Sequence, residues 1–265
     1  MEQSSTVITA LFDIGRDKNG DGRTIDQYLD WFDKTLRLNV PFIIYTEDRF
    51  KEFILQRRDI SNTSIIIQKL EDIPYYQYKN QIENILKSPS YRQLIKDPSR
   101  IECNLSLYNI IQYSKFEWLV DAIDKHNQYD YYFWMDAGCS RFFDNIDTSI
   151  SWPQNYSILK QDRLNIQGNI NTVKYYQSWP GDNVYIWDNN CLLVGTLFGG
   201  SSIVCKNIAT KIKSLFEFYL NQDIVNNEQI LLAILFKNNP ELFSIHIELN
   251  NKHLPYFKTL ATNYE

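Results

Sequence analysis

The sequence predicts an α/β fold: a mostly parallel central sheet flanked by helices, in a single domain spanning residues 1–265. Short apolar runs rich in β-branched residues alternate with segments of helical periodicity, the pattern of a layered α/β protein. The 265 residues, 44% hydrophobic and 22% charged, suffice for one large core. No internal repeat or low-complexity linker divides them.

The first apolar run, Val7 to Ile14, reads as a buried strand that ends at Gly15-Arg16 and leaves Asp13 and Arg16 at its exit. From Thr24, the stretch IDQYLDWFDKTLRL spaces Tyr28, Leu29, Phe32, Leu36 and Leu38 at roughly helical intervals until Asn39-Val40-Pro41 stops it. Phe42 to Tyr45 is the next strand, a helix follows through Phe50 and Phe53, and TSIIIQ (Thr63 to Gln68) gives a third strand. Residues 72–100 carry Pro74, Pro89 and Pro98 and read as short helices and loops rather than core. Leu105 to Ile123 is a helix, with apolar residues at Leu107, Ile110, Ile111, Phe116, Leu119, Val120 and Ile123. It leads to the strand YYFWM, from Tyr131, which delivers Asp136 into the small residues Ala137 and Gly138. Residues 144–182, with Trp152-Pro153 and Trp179-Pro180-Gly181, read as a long irregular insertion able to cover a cleft. Cys191 to Val204 is strand-like but broken by Gly195, Gly199 and Gly200. Helices near Ile208–Tyr219 and Asn227–Phe236 and a strand at Phe243–Glu248 complete the pattern.

Composition narrows the function. The net charge is −5 without a clustered basic stripe, which disfavours nucleic acid as a partner. Cys103, Cys139, Cys191 and Cys205 are widely spaced, with no CxxC pair, and read as reduced thiols. Met1 is followed by polar residues and no apolar run approaches the roughly 18 residues of a membrane span, so the expected location is the cytoplasm. Aromatic residues reach 15%, and amphipathic rings suit clefts that face sugars or nucleotides as well as they suit a core. The segment Asp17-Lys18-Asn19-Gly20-Asp21-Gly22 opens like a calcium loop. It then fails, because Tyr28 stands where a bidentate glutamate is needed.

Three features carry chemistry. Asp136 stands at the carboxyl end of a buried strand, where open α/β sheets bind ligands. It is either a turn former or a carboxylate holding Mg²⁺ or Mn²⁺ against a diphosphate. The glycines Gly199 and Gly200 mark a sheet bend or a backbone that a ligand approaches closely. Asn226, Asn227, Glu228 and Gln229 gather at a helix N-terminus, where Glu228 is a capping residue or an active carboxylate.

In this order, TALFDIGR (Thr9–Arg16), RIECNLSLYNIIQYSKFEWLVDAI (Arg100–Ile123), WMDAGCSRFF (Trp134–Phe143), GTLFGG (Gly195–Gly200) and NNEQILLA (Asn226–Ala233) resemble the HtrL/YibB family of bacterial proteins. That family belongs with the nucleotide-sugar-dependent glycosyltransferases of the GT-A fold, a Rossmann-like architecture, and the resemblance runs from about residue 7 to residue 258. It implies transfer of a sugar, UDP-linked by expectation, to a saccharide acceptor of a surface glycan such as lipopolysaccharide or capsule. A lipid-linked acceptor would bring the protein to a membrane surface.

The resemblance also implies roles. Thr9, Ala10, Phe12, Asp13 and Arg16 would cradle the nucleotide, with Lys115 as a basic contact. Asp136-Ala137-Gly138 falls on the Asp-x-Asp metal motif, and the departure is Gly138 in place of the second aspartate. Asp136 would hold Mn²⁺ or Mg²⁺, with His246 or His253 as a further ligand. Gly199 and Gly200 would line the donor sugar. Glu228 would act as general base if the enzyme inverts, or would stabilise positive charge at the anomeric carbon if it retains. Trp152, Trp179 and Asp182 would meet the acceptor. Two rival readings remain: a catalytically silent nucleotide-sugar or glycan binder with the same fold, and a nucleotidyltransferase. The latter is disfavoured because Gly15 to Arg23 lacks a basic glycine-rich signature.

Overall fold

Seven strands form one sheet in the order β3-β2-β1-β4-β6-β5-β7. They are β1 (Ser5–Leu11), β2 (Phe42–Thr46), β3 (Thr63–Ile67), β4 (Tyr131–Met135), β5 (Leu164–Gly168), β6 (Leu193–Gly200) and β7 (Phe243–Ile247). The computed structural model describes residues 3–142, 151–169, 171–247 and 255–261. β1 runs parallel to β2 and β4, β2 to β3 and β5 to β7, while β6 runs against both β4 and β5. The expected α/β fold with a mostly parallel sheet is present.

Alternation along each strand divides the core into two layers. Val7, Leu11, Tyr131, Phe133 and Met135 face one side, where Phe32 of the helix Ile25–Thr35 and Tyr256, Phe257 and Leu260 of the helix Pro255–Ala261 cover them. Ile8, Tyr132 and Trp134 face the other, under the helices Ser106–Lys125, Ser202–Leu220 and Glu228–Asn238. Burial on both faces is why YYFWM shows no polar alternation in sequence. The helix Ile25–Thr35 starts where predicted because Thr24 and Gln27 form a reciprocal capping box.

Two stretches differ from expectation. Within residues 72–100 the helices Lys79–Lys87 and Pro89–Leu94 send Ile82, Ile85, Leu86 and Tyr91 into the core. The prolines there only punctuate packed structure. The supposed irregular insertion supplies β5, a full member of the sheet. Its polar composition hid it: Asn165 is fully buried, and its amide bonds the Lys160 carbonyl at 2.9 Å and the Arg163 carbonyl at 3.0 Å. Residues 143–150 and 170 lie outside the described residues.

The order places β1 between β2 and β4, so the chain reverses its direction of sheet growth there. Such a switch point opens a crevice beyond the carboxyl ends of the two strands.

Candidate functional site

A cleft occupies that crevice. Its floor is the end of β1, Ala10 to Ile14, together with Trp134, Asp136, Ala137 and Gly138 from β4 and the turn after it. Arg16, Arg23, Tyr28, Tyr108, Gln112 and Arg141 surround it.

Asp136 is anchored from behind. Its Oδ1 accepts from the indole N–H of Trp134 at 2.8 Å and lies 3.1 Å from the Lys115 ammonium. Its backbone N–H bonds the Thr196 carbonyl at 2.9 Å, which ties the end of β4 to β6. The Asp136 side chain is 27% exposed, whereas those of Lys115 and Glu228 are 1% and 0% exposed. Lys115 Nζ also meets Glu228 Oε1 at 2.8 Å and the Gly195 carbonyl at 3.2 Å. One buried cation thus joins two carboxylates from elements far apart in sequence. Burial depresses the Lys115 ammonium, but Asp136 and Glu228 outweigh it and leave the group raised. Burial raises the Glu228 carboxyl, which Lys115 only partly offsets. Glu228 Oε2 has no hydrogen-bond partner among the described residues.

The sequence fits these groups together locally. Asn227 caps the helix Glu228–Asn238 by accepting from the Gln229 N–H at 2.9 Å, and Gln229 Oε1 accepts from the Gly195 N–H at 3.2 Å. A Cβ on Gly195 would lie 2.4 Å from Glu228 Oε1, so this glycine is the one that the charged cluster requires.

Aromatic packing builds the rest. Phe12 stacks on Trp118 at 5.4 Å, and Trp118 on Trp134 at 6.0 Å, a column that fixes the Trp134 indole toward Asp136. Arg16 donates to the Tyr28 hydroxyl, pairs with Asp21 at 2.5 Å and lies over the Tyr108 ring at 5.0 Å. Asp21, the residue that mimicked a calcium ligand, thus serves Arg16 and also Arg23 at 3.3 Å. Burial, with Glu228 and Glu102 nearby, raises the Tyr108 phenol and keeps it neutral.

Of the expected site residues, the cleft gathers Ala10, Phe12, Asp13, Arg16, Asp136 and Gly138. The others lie elsewhere. Thr9 is buried inside β1, opposite Ile44. Lys115 and Glu228 do not line the cleft: they are buried behind it, Lys115 paired with both Asp136 and Glu228. Gly199 and Gly200 pair with Phe133 and Tyr132, at the start of β4. Because β6 runs antiparallel, its glycine pair lies toward the amino end of β4, away from Asp136. Trp152 is 4% exposed and packs on Phe133 and Phe257, so it is a core residue rather than a stacking platform. Trp179 and Asp182 bond each other at 2.8 Å, and neither lines the cleft. His246 stands on β7, with β5 and β6 between it and β4. His253 lies outside the described residues.

Arg23, Tyr28, Tyr108, Gln112, Trp134 and Arg141 were missed. Tyr108 and Gln112 carried a signal, since they are one helical turn apart on the helix that faces the cleft.

His246 is a half-buried group held neutral. It stacks on Tyr256 at 4.4 Å, its Nε2 has no hydrogen-bond partner among the described residues, and burial lowers it to about 4. A depressed folded value means that its contribution to stability is whole above the ordinary 6.5 and is lost as pH falls toward about 4. The loss is about 1.4 kcal/mol for each pH unit of that window. Between pH 7 and pH 4.5 the urea midpoint of wild type is expected to fall further than that of His246→Phe. Parallel acid losses would exclude His246 as the titrating group.

The family model described as "Bacterial protein of unknown function (HtrL_YibB)" matches residues 3–261. The chain belongs to the HtrL_YibB family. Protein HtrL of Escherichia coli (strain K12) is 22% identical over 288 residues, covering 99% of this chain and 94% of that one. Among solved structures, the apo-form glycosyltransferase GlyE of Streptococcus pneumoniae TIGR4 aligns with a TM-score of 0.41 and 11% identity. That alignment covers 92% of this HtrL_YibB chain and 45% of the GlyE chain, so the chain spans less than half of GlyE. No helix among the described residues is long and apolar enough to cross a membrane.

Proposed function

We propose that this HtrL_YibB protein is a glycosyltransferase that takes a sugar from a nucleotide diphosphate donor, UDP-linked, to a saccharide acceptor of a surface glycan. The observation that carries this reading is the cleft at the β1/β4 switch point, where arginines, aromatic rings and one anchored carboxylate converge. Tyr28 and Tyr108 offer faces to a base or sugar, and the guanidiniums of Arg16, Arg23 and Arg141 offer planar donors to phosphate oxygens. Asp136 Oδ2 has no partner among the described residues and is the acceptor for a hydroxyl of the donor sugar or of the incoming saccharide. The Lys115 ammonium fixes that carboxylate in place, and Glu228 holds Lys115.

The expected Mn²⁺ or Mg²⁺ is not part of this proposal, because the donor set does not fit one. Asp136 Oδ1 is committed to Trp134 and Lys115, and Gly138 adds no second carboxylate. No group of three or more His, Cys, Asp or Glu able to hold a metal occurs among the described residues. A bound divalent ion usually needs one or two carboxylates free to coordinate it.

The test is a thermal-shift screen of UDP, GDP and CDP sugars followed by product analysis with saccharide acceptors. A UDP-sugar is expected to raise the melting temperature with concentration. Asp136→Asn is expected to fold and to lose transfer by about tenfold or more. Full transfer by Asp136→Asn, or no response to any nucleotide sugar, sinks the reading. A binder without turnover is the second reading, favoured by the seclusion of Glu228. Donor binding without product across a broad acceptor panel would decide for it.

A further inference from the structure

We propose that the donor diphosphate is neutralised in this cleft by Arg16, Arg23 and Arg141, and not by a divalent cation. The inference rests on the glycosyltransferase reading above and specifies how its donor is held.

The place of the second carboxylate is crowded as well as vacated. A Cβ on Gly138 would lie 3.2 Å from Trp31 Cε3 and 3.4 Å from Tyr28 Cε1. These two rings, packed edge to face at 5.2 Å, occupy the space into which an acidic side chain would extend. On the remaining carboxylate, a cation already stands: Lys115 Nζ is 3.1 Å from Asp136 Oδ1. The positive charge that a metal would bring to Asp136 is therefore built into the fold, and it is buried behind the cleft where a phosphate does not reach it.

The cleft surface supplies other positive charge. Arg16 leaves the end of β1, Arg23 precedes the helix Ile25–Thr35, and Arg141 follows β4. Arg16 and Arg23 share the single carboxylate of Asp21, at 2.5 and 3.3 Å. Arg141 lies over the rings of Trp31 and Phe142 at 5.5 and 4.6 Å and has no carboxylate partner among the described residues. Three guanidiniums meeting the one carboxylate of Asp21 make this wall of the cleft locally positive, which suits the charge of a diphosphate diester. Asp13 and Asp136, the acidic residues of the lining, pair with Arg49 at 3.3 Å and Lys115 at 3.1 Å, cations they share with Glu47 and Glu228. Guanidinium suits the task because its planar fork bonds two phosphate oxygens at once.

The experiment is calorimetric titration of the full chain with UDP-glucose and, separately, with inorganic diphosphate, each in EDTA and in Mn²⁺. Both probes are expected to bind in EDTA, and the UDP-glucose Kd is expected to stay within about threefold on adding Mn²⁺. Arg141→Ala is expected to weaken both by about tenfold or more, and Arg141→Lys to recover only part of this, since a point charge replaces a fork. The melting temperature of Arg141→Ala should match wild type, because the residue is exposed. UDP-glucose binding only with Mn²⁺, or unchanged affinity in Arg141→Ala, overturns the inference while leaving the glycosyltransferase reading intact. Diphosphate binding in EDTA with no nucleotide-sugar binding sustains the arginine cradle and overturns the reading. Failure of both probes under both conditions overturns both.

Discussion

Replacing Lys115 with methionine is expected to cost about 3–5 kcal/mol of stability at pH 7, enough to unfold much of a marginal domain. Lys115 is enclosed with Glu228 at 2.8 Å and Asp136 at 3.1 Å, so removing the ammonium strands a carboxylate that has no water to turn to. The reciprocal change is milder. Glu228→Gln leaves Lys115 paired with Asp136 and keeps a side chain of the same shape, and about 1 kcal/mol is expected.

The pH dependence carries a sign that separates charge from shape. Burial raises the Glu228 carboxyl above its ordinary 4.5, so the folded state binds its proton more tightly than the unfolded chain does. Its contribution is therefore whole below 4.5 and is lost as pH rises through the folded value. Lys115, also raised, contributes fully below 10.5 and loses that contribution at higher pH. In Lys115→Met, Glu228 has lost its cation and is stable only when protonated. The deficit relative to wild type should shrink from pH 8 to pH 5 in urea unfolding. A deficit under about 1 kcal/mol, or one independent of pH, would mean that the cluster is not ionised as the geometry implies.

The α/β class, the strand ends at Asp13 and Asp136 and the capped start of the helix at Glu228 were legible because each is a local signal. Apolar runs, turn residues and caps act over a few positions. What was not legible depends on pairing partners. Nothing in GTLFGG states that β6 runs against β4, and that direction alone decides whether Gly195 or Gly199 meets Asp136. Nor does a lysine in a helix announce that it faces inward. Lys115 reads as a ligand contact until Glu228, from a segment 113 residues later, is seen to bond it at 2.8 Å. Strand β5 was hidden for a related reason, since the buried Asn165 looks like a loop residue until its amide partners are known.

The two glycines of β6 give the sharpest test of that placement, because alanine at each should fail differently. At Gly199 a Cβ would stand 2.5 Å from both the Phe133 ring and the Tyr132 carbonyl. The carbonyl belongs to the backbone of a central strand and has no freedom to retreat, and the ring is enclosed in the core. Overpacking of this kind costs about 1–3 kcal/mol and more when backbone must move, so Gly199→Ala should rank with Lys115→Met in urea unfolding. The protein that does fold should bind UDP with unchanged affinity, since the strain lies further down β4 from the cleft. At Gly195 the Cβ would instead press on Glu228 Oε1 at 2.4 Å, an atom at the end of a side chain rather than part of a strand. That carboxylate has to swing off Lys115, which then pulls on Asp136. Gly195→Ala should therefore lose UDP affinity as well as stability, whereas Gly199→Ala should lose stability alone. The opposite pattern, with UDP affinity lost at Gly199 and kept at Gly195, would move the ligand to the other end of these strands and with it the role given to Asp136.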